Sequence, residues 1–170
     1  MNIYFKKVEE KEYNSFRQDV KEVFAIAVVE EFGDSDDGDV ILDEDINESL
    51  FNPNAETYYI YLDDKKIGGV VLNINNMTQH NSLDLFYIYP DCHSKGIGQK
   101  VWYMIEEKYP KTKVWELVTP YIEKRNINFY VNKCGFHIVE FFNKYHKDPR
   151  IGDSDYEFKE EFFRFEKVMK

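Results

Sequence analysis

Phe86-Tyr-Ile-Tyr-Pro-Asp-Cys-His-Ser-Lys-Gly-Ile-Gly-Gln-Lys100 holds a strand end, a turn and a helix start in one short run. Leu83 to Tyr89 reads as a strand, β-branched and aromatic from Leu85 and stopped by Pro90. A helix opens at Gly96. Ile97, Val101 and Ile105 recur at helical spacing, Met104 and Tyr109 lie near the same face, and Pro110 marks the stop. Between them, Ser94 to Gln99 would gather backbone N–H groups at a helix N-terminus, where unpaired donors and the helix dipole favour a phosphate. Gly96 and Gly98 lack a Cβ, so a bulky ligand can lie directly on the backbone. The run is not a P-loop, which needs two glycines five apart followed by Lys-Ser/Thr. Nor is it a dinucleotide fingerprint, because Val101 stands where the third glycine belongs. On these residues alone, an ordinary glycine-bearing turn into a helix stays open beside the phosphate cradle.

A second stretch, Asn126-Ile-Asn-Phe-Tyr-Val-Asn-Lys-Cys-Gly-Phe136, follows about thirty residues on. Together the two resemble the paired signatures of the GNAT superfamily of N-acetyltransferases. The first is Gln or Arg, two residues, Gly, any residue, then Gly or Ala. The second is an Asn and then a Tyr ahead of Gly-Phe. The resemblance is good over residues 55 to 143 and departs in two places. His93 stands where Gln or Arg is usual, and Tyr130 lies five residues before Gly135, where four is commoner.

The resemblance implies an α/β GNAT (acyl-CoA N-acyltransferase) fold, with a mixed, mostly antiparallel central sheet and helices on both faces. Neighbouring central strands would splay apart to admit acetyl-CoA (coenzyme A) as cosubstrate. The implied reaction is direct transfer of the acetyl group to a primary amine of a small molecule or peptide. The cradle would be Ser94, Lys95, Gly96, Ile97, Gly98 and Gln99, with His93 on the phosphates. Backbone groups of Tyr87 and Ile88 would pair with the pantetheine amides as an added strand does. Asn126 would contact the pantetheine arm, and Tyr130 would sit by the sulfur.

Acyl transfer to an amine poses two proton problems. An alkylammonium has a pKa near 10.4, so it must lose a proton to become nucleophilic. The departing thiolate must gain one. A tyrosine, pKa about 10, matches a thiol at about 8.5 well enough to donate, so Tyr130 is the general-acid candidate. Asp84 and Glu116 are the base candidates, with ordered water as the alternative to either. Each carboxylate can instead be a charged residue at a strand edge or in an ion pair. The rival to an enzyme is an acyl-CoA-binding regulatory module of the same fold without turnover.

Composition narrows the class. At 170 residues the chain reads as one domain, 1–170, and its 43% hydrophobic and 17% aromatic content argues for a packed core. No apolar run reaches the roughly 20 residues of a membrane span, and no signal peptide is evident. Cys92 and Cys134 read as free thiols of a cytoplasmic protein. A net charge of -10 argues against nucleic acid and suits a cationic substrate. The expected partners are acetyl-CoA and an amine, with no nucleic acid and no membrane. Whether the chain is a homodimer is open, and no metal ligand set is expected.

The remaining chain predicts a strand over 2–8 and an amphipathic helix from Tyr13 to near Gly33. An acidic loop follows over 30–48, a candidate substrate-side element. Its Asp34-Ser-Asp-Asp-Gly-Asp39 only approximates a calcium loop, since the glycine falls one place early. Strands are predicted over 57–62 and 67–74, with Gly68 and Gly69 marking a bulge or a close backbone approach. His80 reads as an exposed loop residue. Later come a strand over 111–118, a helix capped by Thr119-Pro120 and closed by Gly135, and strands over 136–142 and 158–168.

Overall fold

A computed structural model describes residues 2–33, 41, 43–93, 95–150 and 161–170, excepting the side chains of Glu31 and Phe32. Strands β1 (Ile3–Lys7), β2 (Ala55–Leu62), β3 (Lys65–Asn73) and β4 (His80–Ile88) form an antiparallel meander. Strands β5 (Val114–Pro120), β6 (His137–Phe142) and β7 (Phe162–Val168) form a second antiparallel group, with β7 in its middle. The sheet order is β1-β2-β3-β4-β5-β7-β6.

The two groups meet at β4 and β5, the parallel pair. They touch through His80↔Val114, Asn81↔Trp115 and Ser82↔Glu116, and then separate. The cause lies two residues further along β4. Val71 pairs with Leu85 and Leu72 with Leu83, so Asp84 is an extra residue on its strand. Such a bulge bends the strand that carries it. β4 therefore turns away from β5 just past their last contact, and on that side its edge from Leu83 to Ile88 has no partner strand among the described residues.

Strand alternation supplies two cores. Tyr59, Val71 and Tyr87 face α1 (Tyr13–Phe32) and α2 (Asp43–Leu50), which bury Phe16, Val20, Val23, Ile46 and Leu50 against them. Ile60, Val70, Leu72 and Ile88 face the other way, onto Ile97, Val101, Trp102 and Ile105 of α3 (Ile97–Lys108). Trp102 also meets Trp115 of β5 edge-on, ring centroids 5.2 Å apart. Helices thus cover both faces of a mixed, mostly antiparallel sheet, as expected. No helix among the described residues is long and apolar enough to cross a membrane.

Several boundaries differ from the sequence reading. β4 begins at His80, not Leu83, so His80 is an exposed strand residue rather than a loop one. Asn81 belongs inside the strand because it is buried and its amide bridges the Asn75 N–H (2.8 Å) and the Thr112 hydroxyl (2.7 Å). Thr119 and Pro120 do not open a helix. They end β5, paired with Phe163 and Phe162, a place where a strand tolerates proline. The helix starts later, as α4 (Lys124–Asn128). The second half of the acidic stretch is not loop but α2, whose charges face water while Ile46 and Leu50 are buried. The calcium-like run Asp34–Asp39 lies outside the described residues. Gly68 and Gly69 do mark a close approach: a Cβ on Gly68 would stand 2.2 Å from the Tyr87 carbonyl oxygen, and one on Gly69 would stand 2.7 Å from the Tyr87 hydroxyl.

Candidate active site

Where β4 leaves β5, a cleft of about 680 Å³ opens. One wall is the C-terminal half of α1, through Val23, Phe24, Ala27 and Val28. The floor is β4 from Phe86 to Ile88. The far wall is Cys92, His93 and Gly96 to Gln99 together with α4 and the turn after it. The described cradle residues Gly96, Ile97, Gly98 and Gln99 line it with His93, Asn126 and Tyr130. Ser94 lies outside the described residues, and Lys95 is exposed beside the loop.

The ladder decides which peptide groups β4 offers the cleft. Tyr89 N–H donates to the Ile67 carbonyl at 2.8 Å, and the Tyr87 carbonyl stands over Gly68. Peptide groups alternate along an antiparallel ladder. Those of Tyr87 therefore point toward β3, while those of Phe86 and Ile88 point toward the cleft. Of the two residues expected to pair with the pantetheine, Tyr87 thus points its peptide groups away from the cleft and Ile88 points its own toward it, as Phe86 does. The Ile88 carbonyl accepts a hydrogen bond from His93 Nε2 at 2.7 Å. The other ring nitrogen of His93, Nδ1, accepts from Arg125 on α4 at 2.7 Å.

The cradle opens on Gly96, whose φ of +72° suits glycine and whose missing Cβ would meet nothing within 4 Å. A Cβ on Gly98 would come within 3.2 Å of the Phe129 ring. The backbone here is bare, and α3 starts directly behind it. Asn126 also faces the cleft, with its amide donating to Glu123 at 2.5 Å.

Tyr130 sits in a π turn, Phe129–Lys133, that continues α4. Cys134 N–H reaches back to the Phe129 carbonyl (3.1 Å) and Phe136 N–H to that of Tyr130 (2.9 Å). A π turn takes more residues per turn than an α-helix. The extra residue between Tyr130 and Gly135 coincides with this wider turn. Gly135 closes the segment at φ +84°, the expected C-terminal glycine. The turn is tied down from outside. Gln99 Nε2 (2.7 Å) and the Tyr103 hydroxyl (3.2 Å) both donate to the Lys133 carbonyl, and Lys167 Nζ donates to that of Cys134 (2.7 Å). Tyr130 is buried among Phe129, Phe136 and Phe165. Burial, with smaller contributions from Cys134 and Glu123, raises its pKa and keeps its hydroxyl protonated. Phe129 also stacks on Phe86 of β4, centroids 6.2 Å apart, so an aromatic pair spans the gap between the strands.

Asp84 and Glu116 lie near the point where the strands part, and Arg150 connects them. Arg150 approaches Glu116 at 3.5 Å, is held by Asp148 at 2.9 Å, and acts electrostatically on Asp84. Protein crowding raises the Asp84 pKa above the ordinary carboxylate value, against lowering by Ser82 and Arg150. The Ser82 hydroxyl donates to Asp84 at 2.7 Å. Asp84 retains exposed surface. Glu116 is also 3.9 Å from Arg164, so it sits in an ion network rather than alone. Among the described residues no group of three or more His, Cys, Asp or Glu side chains could hold a metal.

Sequence reasoning missed Arg125, Arg150 and the Phe86–Phe129 pair. Arg125 and the two phenylalanines were visible inside or beside the quoted stretches, as residues without a pattern. Arg150 lies in a polar, turn-rich segment and carried no signal.

Residues 13–136 match the profile of the acetyltransferase (GNAT) family. YrkN, an uncharacterized protein of Bacillus subtilis strain 168, is 52% identical over 168 residues, spanning 95% of this chain and 91% of its own. Among solved structures, a Bacillus subtilis acetyltransferase in complex with CoA superposes with a TM-score of 0.65 at 17% identity, covering 99% of this chain and 100% of that one. An acetyltransferase from Thermus thermophilus gives 0.69 at 11% identity, covering 99% and 98%.

Proposed function

The chain belongs to the acetyltransferase (GNAT) family, and we propose that it moves the acetyl group of acetyl-CoA to a primary amine of a small molecule or peptide by direct transfer. One observation carries this reading: the unpaired edge of β4 faces a cleft that runs from the glycine loop to the Tyr130 wall. An unpaired strand edge is a ready partner for an extended chain carrying amides. Bound there, acetyl-CoA supplies an activated acyl group and a thiol leaving group.

The protein's own groups do the rest. Gly96 to Gln99 present backbone N–H groups at the start of α3, where the helix dipole favours phosphate. Phe86 and Ile88 offer peptide groups to the pantetheine amides. A peptide N–H aimed at the thioester carbonyl would stabilise the charge that develops there. Tyr130 Oη holds a proton and gives it to the departing sulfur. Asp84 takes a proton from the incoming ammonium, directly or through water, and its raised pKa makes it a better base than an ordinary carboxylate. Glu116, bound to Arg150, shapes the charge around the amine. We assign residues 1–170 to one domain, because a single sheet runs from Ile3 to Val168. The buried free thiols Cys92 and Cys134 suit the cytoplasm as its compartment.

The first test is thermal stability with acetyl-CoA, coenzyme A, NADH and ATP in parallel. A ligand of the native state raises the midpoint by mass action. A rise with the two coenzyme A species alone supports the cleft. No rise at saturation overturns it. Tyr130→Phe should then lower kcat about a hundredfold, within the usual range for a lost general acid, with coenzyme A affinity nearly intact. Equal rates would remove Tyr130 from that role.

A further inference from the structure

His93 occupies the loop position where the resembled signature has Gln or Arg, and its ring is held at both ends. Nε2 lies 2.7 Å from the Ile88 carbonyl, which can only accept, so Nε2 carries the proton. Nδ1 is then the acceptor for the Arg125 guanidinium at 2.7 Å. The imidazole works as a spacer between the end of β4 and α4. Arg125 presents five N–H donors and uses one on His93. No carboxylate among the described residues pairs with it, in a chain with 32 acidic side chains against 22 Lys and Arg. It lines the same cleft as Gly96 and Gly98.

We propose that Arg125 is the charged anchor for the phosphates of coenzyme A, and that His93 is the positioning residue that aims it. The cation that the loop itself lacks at position 93 is supplied by α4 beside it. A guanidinium fits phosphate because its planar donors form paired, charge-assisted bonds. Glu123, the acid of the same wall, is engaged by Asn126 at 2.5 Å. The inference rests on the acetyl-CoA reading above, and its test separates the two.

Binding is measured by calorimetry for coenzyme A and for pantetheine, which shares the arm and lacks the phosphates. Arg125→Gln should weaken coenzyme A about tenfold to a hundredfold, the usual worth of one or two charge-assisted bonds. It should leave pantetheine unchanged and flatten the salt dependence of coenzyme A binding. Arg125→Lys should recover part of the loss. His93→Ala should weaken coenzyme A by several-fold in the wild type but not in the Arg125→Gln background, because the two act as a unit. His93→Gln, which can both donate and accept, should rescue it. Inorganic pyrophosphate should compete with coenzyme A on the wild type and much less on Arg125→Gln. Wild-type coenzyme A affinity in Arg125→Gln, or equal losses for coenzyme A and pantetheine, overturns the anchor while leaving the acetyl-CoA reading in place. Wild-type protein that binds no coenzyme A overturns both.

Discussion

Alanine at Gly98 is expected to separate the stability of the fold from the working of the cleft. The new Cβ would stand 3.2 Å from Cε2 and Cζ of Phe129, where ordinary contact begins near 3.4 Å. The ring edge must therefore yield by a few tenths of an ångström. Overpacking costs about 1–3 kcal/mol. The low end applies here, because the ring borders an open cleft and can slide. Against this, alanine is about 0.8–1 kcal/mol better than glycine within a helix. Gly98 is the second residue of α3, so only part of that gain is realised. The two effects nearly cancel, leaving a change within about 1 kcal/mol, or 2–4 °C in Tm for a chain of this length.

The cleft has no such offset. Displaced Phe129 presses on its stack with Phe86 and on the ring of Tyr130, 5.2 Å away. Coenzyme A affinity and kcat should each fall about tenfold or more, a penalty of roughly 1.4 kcal/mol. Gly68→Ala is the contrast. Its Cβ would meet the Tyr87 backbone oxygen at 2.2 Å, and backbone cannot slide aside. That variant should lose about 3 kcal/mol or more, roughly 6–12 °C. Melting curves for both variants, with coenzyme A titrations on Gly98→Ala, decide the matter. A Gly98→Ala protein as unstable as Gly68→Ala, or one that binds coenzyme A like the wild type, would refute the reasoning.

Three further outcomes are expected. Asp84 has a raised pKa, so the native state holds its proton more tightly than the unfolded chain does. Its contribution to stability therefore grows as pH falls through the folded pKa, and at neutral pH the charge is a cost. Asp84→Asn should thus raise Tm at pH 7 while lowering kcat, and a lower Tm would remove the crowding argument. Lys167→Met should cost about 2–3 kcal/mol, because Glu106 loses its partner at 2.7 Å in a largely buried place, with side chains 20% and 13% exposed. A loss under about 0.5 kcal/mol in urea melts would contradict this. Gln99→Leu removes one of two donors to the Lys133 carbonyl and should lower kcat several-fold with Tm within about 2–4 °C, since one net hydrogen bond contributes about 1 kcal/mol. An unchanged kcat would mean that the π turn holds Tyr130 without it.

Elements with one dominant physical signal were legible from sequence. α3 and the first half of α1 follow their apolar period, and Gly135 sits at positive φ where a helix C-terminus calls for glycine. The start of β4 was not legible, because Asn81 is polar and holds its buried place only through Asn75 and Thr112. α2 hid in an acidic run whose apolar content is sparse, although Ile46 and Leu50 keep helical spacing. Thr119-Pro120 carried a genuine helix-start pattern, and pairing with β7 overrode it. At the site, residue types singled out Gly96 to Gln99 and Tyr130, which line one cleft. The His93–Arg125 link could not, since it depends on α4 packing beside a loop thirty residues earlier. The five-residue tyrosine spacing coincides with a π turn that no residue pattern announced.

The narrow junction between β4 and β5 also has a consequence for assembly during synthesis. The first four strands are successive neighbours, so they can pair as they leave the ribosome. β5 cannot complete in the same way. It has three residue pairs with β4, and its other edge waits for β7, which is made after β6. Until Phe162–Val168 emerges, Trp115 and Leu117 lie on a strand with an open side, and β6 has no neighbour in the sheet. A nascent chain of this protein therefore passes through an interval in which one half is native and the other offers bare strand edges, the kind of surface on which chains associate wrongly. The same parting of strands that opens the cleft leaves the second half of the sheet unpaired until β7 is made.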